Sequence, residues 1–430
     1  MNTKIAIINV HSSCNAGDAA LTQVAIGELR QEFPESQIIL VMNDPQSNLG
    51  EEQAVLSFLT WVSLPGFRPA VRFAWLAILC MIPALTLRIF GKAIFLPFSK
   101  DIRKTIETII NADMVVGTPG GYFYSYGKGR NLMYLSFTMF VAILAGKPLY
   151  LLPQSFGPMK YARERWMTRW LLSRARIVMV REEVSLDYLE TIDVNTSSCH
   201  LLPDMAFAFR GAPPSRGEDW IKAQGLDPHS DRPFLGMTVI DWGAQYQGFS
   251  SQNRYENAIT AVIRHFVDQY HGKVILFPQS WGPSAAEDDR LPAQRIANLV
   301  IELGESVMVV NQPLLPEVLK STFGQMDLFI GTRMHSNIFA MTENVPFIAI
   351  GYLHKTLGIA RTASLEDWVV NIQQVEKKQL IAKLDQLWIE RDHLHSQLLK
   401  MMPEMSEKVH KAGLLIAQDY FSLTKGKIHG

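Results

Sequence analysis

Short apolar runs alternate along this chain with longer segments whose apolar positions recur at helical spacing, a pattern that predicts repeated strand–helix–strand units. The run over 4–10, with Ile5, Ala6, Ile7, Ile8 and Val10, predicts a first strand. A turn (Asn15, Ala16, Gly17, Asp18), a helix over 19–32 and a strand over 37–42 follow. After an insertion the pattern resumes with a helix near 102–110, a strand over 114–116, a loop over 117–121 and a helix near 131–145. Strands over 149–152, 177–180 and 200–202 close this series. A second series starts with a strand over 234–240. It continues with a helix near 253–271, a strand over 273–277, a helix near 291–303 and a strand over 307–310. The stretch 327–355 then supplies the run Leu328, Phe329, Ile330, the turn Gly331-Thr332, a helix over 336–342 and a strand over 347–350. Beyond 373 the chain reads as polar-faced helix with an apolar stripe at Leu380, Leu384, Leu387 and Ile389. Such alternation predicts an α/β fold: parallel sheets covered by helices on both faces, in two Rossmann-like domains facing across a cleft.

A chain of 430 residues exceeds what one core normally holds. The expected division is a first domain over 1–210 with an apolar insertion near 65–98, a Gly-, Pro- and Ser-rich linker over 211–233, a second domain over 234–372 and a helical segment over 373–430. An internal echo supports two related halves. LYLLPQSFGP, starting at Leu149, and VILFPQSWGP, starting at Val274, share Pro, Gln, Ser, Gly and Pro in register, and ADMVVGT from Ala112 resembles MDLFIGT from Met326.

Charge narrows the partners. Lysine plus arginine equal aspartate plus glutamate at 41 each, so nothing points to nucleic acid. The three cysteines, Cys14, Cys80 and Cys199, lie far apart and lack CxxC spacing, so neither a disulfide framework nor a metal site is expected, and a reducing cytoplasm fits. The amino terminus reads as a strand rather than a cleavable leader. The uncharged stretch 73–87, rich in Trp75, Leu76, Ile78, Leu79, Ile82 and Leu85, is flanked by Arg68, Arg72, Arg88 and Lys92. It falls short of the ~20 apolar residues of a spanning helix and contains Pro83. Two readings stay open for 68–98: a helix on the cytoplasmic face of the inner membrane, held by anionic headgroups, or one buried in the core or in a homo-oligomer interface.

Candidate chemistry concentrates at 327–355. Arg333 and His335 fall at a strand-to-helix junction, where free backbone N–H groups and the helix dipole favour an anion. Lys355 lies just past the next strand, where loops of a parallel sheet gather ligands.

Asn15-Ala16-Gly17-Asp18, the Gly120-Gly121 loop, Arg181-Glu182-Glu183-Val184-Ser185, Pro203-Asp204, Arg333-Met334-His335-Ser336 and the stretch Tyr352 to Lys355 together resemble the motif series of the polysaccharide pyruvyl transferase family, from about Ile5 to Lys355. The resemblance implies a GT-B-like fold and transfer of an enolpyruvyl-derived group from phosphoenolpyruvate to sugar hydroxyls, with no cofactor beyond that co-substrate. Making a pyruvate ketal needs an acid, for which His335 is the natural choice, and cations for a carboxylate and a phosphate. Arg333, Arg181 and Lys355 are the candidates, with Ser336 beside them. Asp18, Asp204 and Asp241 are possible bases for acceptor hydroxyls, although Asp18 suits a helix cap better. Trp242 and the aromatic loop Tyr122, Tyr124, Tyr126 suit a glycan face. Asn15, Gly120, Gly121, Gln279 and Ser280 complete the acceptor-binding set. The twins Gln154 and Ser155 cannot share one reacting centre with Gln279 and Ser280, so at least one pair is architectural. The expected reaction is ketal formation on an exopolysaccharide or cell-surface glycan precursor, lipid-linked or not. The alternatives are a GT-B-type sugar-nucleotide glycosyltransferase and a noncatalytic glycan-binding or membrane-docking subunit.

Overall fold

Buried β-rich runs with helices between them form two parallel sheets in the computed structural model, which describes residues 3–63, 69–97, 99–125, 130–245, 249, 251–351 and 354–428. In the first sheet the strands are β1 (Lys4–Val10), β2 (Gln37–Met42), β3 (Gln53–Leu56), β4 (Met114–Gly117), β5 (Gly120–Phe123), β6 (Leu149–Phe156), β7 (Ile177–Val180) and β8 (Cys199–Leu201). Their order is β3-β2-β1-β4-β6-β7-β8, with β5 paired to β6. The second sheet holds β9 (Phe234–Thr238), β10 (Lys273–Leu276), β11 (Val307–Val309), β12 (Leu328–Gly331), β13 (Phe347–Gly351) and β14 (Val369–Asn371), in the order β11-β10-β9-β12-β13-β14. Each sheet grows outward from its first strand and then reverses on that strand's other side. Such a reversal leaves a crevice at the carboxyl ends of the two central strands.

Burial explains why these runs are strands. All eight residues of β6 and all five of β9 and β13 are buried, as expected where helices cover both faces. The covering helices are one-sided: Lys100–Asn111 buries Ile102, Thr105, Ile106, Ile109 and Ile110 and leaves its charges outside.

The chain divides into two units with boundaries unlike those expected. Unit 1 comprises Met1–Ser13, Leu21–Met205 and Val409–Gly430, and unit 2 comprises Cys14–Ala20 and Ala206–Lys408. The segment 211–233 is not a linker: it contains the helix Pro214–Ala223, which packs on Pro316–Phe323 inside unit 2. Gly217 permits that contact, because a Cβ there would lie 2.4 Å from the Ser321 carbonyl oxygen. Nor is 373–430 one segment. The helix Lys377–Val409 lies almost entirely in unit 2, whereas Lys411–Ile428 packs on β6 and β7 in unit 1.

Three strands were not expected. β3 and β14 are short edge strands, and β5 occupies part of the expected loop 117–121, with Gly120 at φ +141°. The apolar insertion forms a continuous helix, Pro69–Phe90, running through Pro83. By length and composition it qualifies as a membrane span. Leu76, Leu79, Cys80 and Ala84 are nevertheless buried, while Val71, Trp75 (58% exposed), Ile78, Ile89 and Phe90 (72%) are exposed.

Candidate active site

Unit 2 gathers a polar site at the carboxyl ends of β9 and β12, where its strand order reverses. Arg333 is the N-cap of the helix Met334–Thr342, so its side chain leaves the sheet at the positive end of that helix's dipole. The junction is fixed from below. Thr238, at the end of β9, accepts the amides of Thr332 and Arg333 through Oγ1 at 3.1 and 3.4 Å and meets the Ser336 hydroxyl at 2.7 Å. Tyr255 bonds the Thr332 hydroxyl at 2.8 Å, and Asn337 donates to the carbonyls of Gly331 and Arg333 at 3.1 and 3.2 Å.

A residue missed by the sequence reading orients the guanidinium. Asp289 is 1% exposed and accepts from Arg333 Nε and Nη2 at 3.0 and 2.6 Å, a fork-to-fork pair that fixes the guanidinium plane. Its Oδ2 also accepts the amides of Gln279 and Ser280 at 3.2 and 3.0 Å. Burial pushes the Asp289 carboxyl above the ordinary aspartate value, with Arg333 pulling the other way. One carboxylate thus ties the PQS loop to the arginine. The available signal in the sequence was an aspartate at the helix start Asp289-Arg290, indistinguishable there from an ordinary cap.

The Asn15 turn belongs to the same site. Ala16 N donates to Gln279 O at 3.0 Å, Trp281 N donates to Cys14 O at 2.9 Å, and Asn15 pairs with Ser280 in an antiparallel bridge. Asn15 Oδ1 caps the helix Ala16–Glu32 by accepting from Gly17 N at 2.9 Å and Asp18 N at 3.4 Å. Gly17 then lies directly against His335, since a Cβ there would fall 2.2 Å from His335 Nδ1. Asp18 follows in that first turn. The structure therefore brings together Asn15, Gly17, Gln279, Ser280, Asp289, Arg333 and His335, with Asp18 next along the chain from Gly17. Asp241 and Trp242 follow β9 in the same unit, but Arg295 bonds Asp241 at 2.9 Å and Gln252 accepts the Trp242 amide at 3.1 Å.

Other expected site residues are engaged elsewhere. Arg181 is not a ligand-facing cation: it is buried in unit 1, 2.5 Å from Asp204 and 3.1 Å from Glu182, and it bonds Ser155. Asp204, equally buried, is the partner of that arginine rather than a base for a hydroxyl. The Ser336 hydroxyl is buried and donates to the Arg333 carbonyl at 2.6 Å, so it builds the turn. Tyr122 stacks on Phe123, and its hydroxyl lies 3.1 Å from where a Gly117 Cβ would sit, pointing into unit 1 rather than presenting a glycan face. Burial raises the Tyr122 phenol well above its ordinary range. Gly120 and Gly121 are strand residues of β5, with Gly120 paired to Gln154. Tyr126, Tyr352 and the Lys355 side chain lie outside the described residues, although Lys355 falls in the first turn of the helix His354–Thr362. Of the PQS twins, Ser155 receives Arg181 and Gln154 bonds the Thr118 carbonyl, so that pair is architectural; both loops end in a cis Gly–Pro peptide.

Known proteins are similar to this chain at two levels. It is 24% identical to the amylovoran biosynthesis protein AmsJ of Erwinia amylovora over 419 residues, 93% of this chain and 96% of that protein. Solved structures share the fold at low identity. HepE of Anabaena, in complex with UDP-glucose, matches with a TM-score of 0.58 at 12% identity over 97% of this chain and 99% of its own. MnaA of S. aureus, in a co-structure with UDP, gives 0.58 at 12% over 92% and 90%, and the UDP-GlcNAc 2-epimerase of Neisseria meningitidis 0.58 at 10% over 98% and 100%. The fold class is therefore α/β and GT-B-like, as expected. Residues 15–354 match the sequence profile of one family from the Asn15 turn, through the Arg333–His335 junction, to the helix after β13, and the chain belongs to the polysaccharide pyruvyl transferase family.

Proposed function

We propose that this transferase moves a pyruvyl group from phosphoenolpyruvate onto two hydroxyls of one sugar in an exopolysaccharide precursor, forming a ketal and releasing phosphate. The observation that carries the reading is the packing of the His335 imidazole on Gly17, two residues from an arginine whose plane Asp289 fixes. Arg333 and the N-terminus of Met334–Thr342 meet the donor's negative charge. His335 delivers a proton to the donor methylene, which becomes a methyl, and the adjacent carbon turns electrophilic. One sugar hydroxyl attacks that carbon and the C–O bond to phosphate breaks. A second hydroxyl then closes the ketal; one of the two hydroxyl protons replaces that given by His335 and the other leaves with phosphate. Asp18, in the first turn beside Gly17, is the proposed base for a hydroxyl. The donor's own enol chemistry drives the reaction, so no resident cofactor is invoked.

The reading extends to placement. The exposed apolar face of Pro69–Phe90, with Arg88 and Lys92 at its end, suits shallow insertion on the cytoplasmic side of an anionic membrane, next to a lipid-linked acceptor.

The test supplies phosphoenolpyruvate and a lipid-linked glycan extract and follows phosphate release and acceptor mass. The expected result is acceptor-dependent phosphate and the mass gain of a ketal, reduced about 10²–10⁴-fold in His335→Ala with the fold intact. Turnover of a UDP-sugar instead, with none of phosphoenolpyruvate, would replace this reading with sugar transfer.

A further inference from the structure

A cavity of about 670 Å³ opens in unit 1 where β7 and β8 begin, the opposite strand end from Arg181 and Asp204. One face of the helix Ala162–Leu172 and its following turn forms a wall of it: Trp166, Arg169, Trp170, Ser173 and Arg174, spaced three and four apart. Asn195 and Ser198 bring an amide and a hydroxyl to the opposite side.

The cations in this wall are not equivalent. Arg169 pairs with Asp193 at 2.8 Å and Arg176 with Asp419 at 2.6 Å. Arg174 instead lies over the Trp170 ring, 4.2 Å from its centroid, and donates to the Trp170 carbonyl at 3.3 Å and to the Ser173 hydroxyl at 3.2 Å. Among the described residues no carboxylate forms an ion pair with it. Stacking holds a guanidinium in place while leaving its charge unneutralised, and Trp170 is itself steadied by Phe140 at 5.4 Å. Trp166, one turn before Trp170 on the same helix and lining the same cavity, is 61% exposed.

An exposed indole and a pre-oriented, uncompensated guanidinium lining one cavity match one ligand chemistry well. A sugar ring offers an apolar C–H face to the indole, and a carboxylate on that sugar meets the guanidinium through parallel N–H bonds. We propose that this cavity is an exosite for an acidic sugar residue, with Trp166 stacking on the ring and Arg174 holding the carboxylate. In one respect the proposal rests on the pyruvyl-transfer reading: each ketal adds a carboxylate, so the growing product is an acidic chain that an exosite retains.

Titration of the full chain with an oligogalacturonide and with a neutral malto-oligosaccharide of equal length, followed by tryptophan fluorescence and calorimetry without phosphoenolpyruvate, tests it independently of catalysis. The acidic oligomer should bind and the neutral one bind at least about tenfold more weakly. Arg174→Ala and Trp166→Ala should each weaken the acidic oligomer by about tenfold or more, with Arg174→Lys and Trp166→Phe intermediate and the unfolding temperature unchanged. Turnover on a short acceptor should be the same in Arg174→Ala as in the parent. Equal binding of both oligomers, no binding by the parent, or affinity unaltered in every variant overturns the exosite. Binding of anionic vesicles that depends on Trp166 and Arg174, with no oligomer binding, overturns it in favour of a lipid-headgroup contact.

Discussion

At the scale of single residues, the site depends on an atom that is absent. Gly17 has no Cβ, and its backbone lies where only a hydrogen can face the His335 ring, with 2.2 Å left to Nδ1. The position is helical, so alanine suits its backbone, and the consequence falls on His335, whose own Cβ would lie 2.7 Å from the added carbon. Gly17→Ala is expected to lower kcat about 10²-fold through misplacement of His335, the proposed acid, and to lower the unfolding temperature as well, because turning the ring cannot relieve a contact at His335 Cβ. Gly27→Ala in the same helix is the control, since a Cβ there meets nothing within 4 Å and activity should be unchanged. Equal loss in both variants would mean that the helix, not the histidine contact, is at fault. Residue type and position placed Arg333 and His335 at a strand-to-helix junction, where the structure has them, but misread Arg181 as facing a ligand. An arginine after a strand looks the same in sequence whether it meets ligand or, as here, a buried carboxylate 2.5 Å away brought in from beyond the next helix.

The expected strands lie close to those observed because their runs are buried on both faces, which leaves continuous apolar stretches that sequence shows directly. Edge elements were the ones missed: β3 and β14 are short, and β5 begins at two glycines that read as a turn. The helix Pro69–Phe90 lies between these cases. Its apolar content was plain, but the division into a face holding Leu76, Cys80 and Ala84 and a face showing Val71, Trp75 and Ile78 depends on what packs against it. If the outer face enters a bilayer, Trp75→Ser with Ile78→Ser removes burial worth about 3 kcal/mol or more, a loss above a hundredfold in partition. Co-sedimentation with vesicles containing phosphatidylglycerol measures it, and the expected outcome is parent protein in the pellet and the double variant in the supernatant. Parent protein that stays in the supernatant would count against membrane placement.

At the scale of the whole molecule, the last helix belongs to the first sheet's unit, and one carboxylate anchors it. Asp419 takes Arg176 through two bonds at 3.0 and 2.6 Å and the Tyr150 hydroxyl at 2.8 Å. The Arg176 hydrogen bond, with help from Tyr150, holds the Asp419 carboxyl below its ordinary range. A carboxyl with a lowered folded-state pKa adds stability above its unfolded value of about 3.9, and that stability is lost as pH falls through the lower folded value. Asp419→Asn should therefore cost about 1–2 kcal/mol near neutral pH, given the partly exposed arginine, and the gap from the parent should close in acid. Urea unfolding of both proteins from about pH 6 down to pH 3 reads this directly; a gap that widens in acid would contradict the assignment.

By itself the sequence determined the alternation of buried strands and covering helices, the two-sheet α/β class, the kinship of the PQS loops and the Arg333–His335 junction, all of which follow from local periodicity and short motifs. Only the tertiary structure decided that Asp289 rather than a surface group faces Arg333, that Asn15 and Gly17 join residues 279–335, that Arg181 and Asp204 cancel inside unit 1, and that residues 409–430 return to the first sheet. The physical reason is range. Periodicity and capping are set by neighbours along the chain, whereas the pairing and burial of a charge are set by groups that only folding brings within bonding distance.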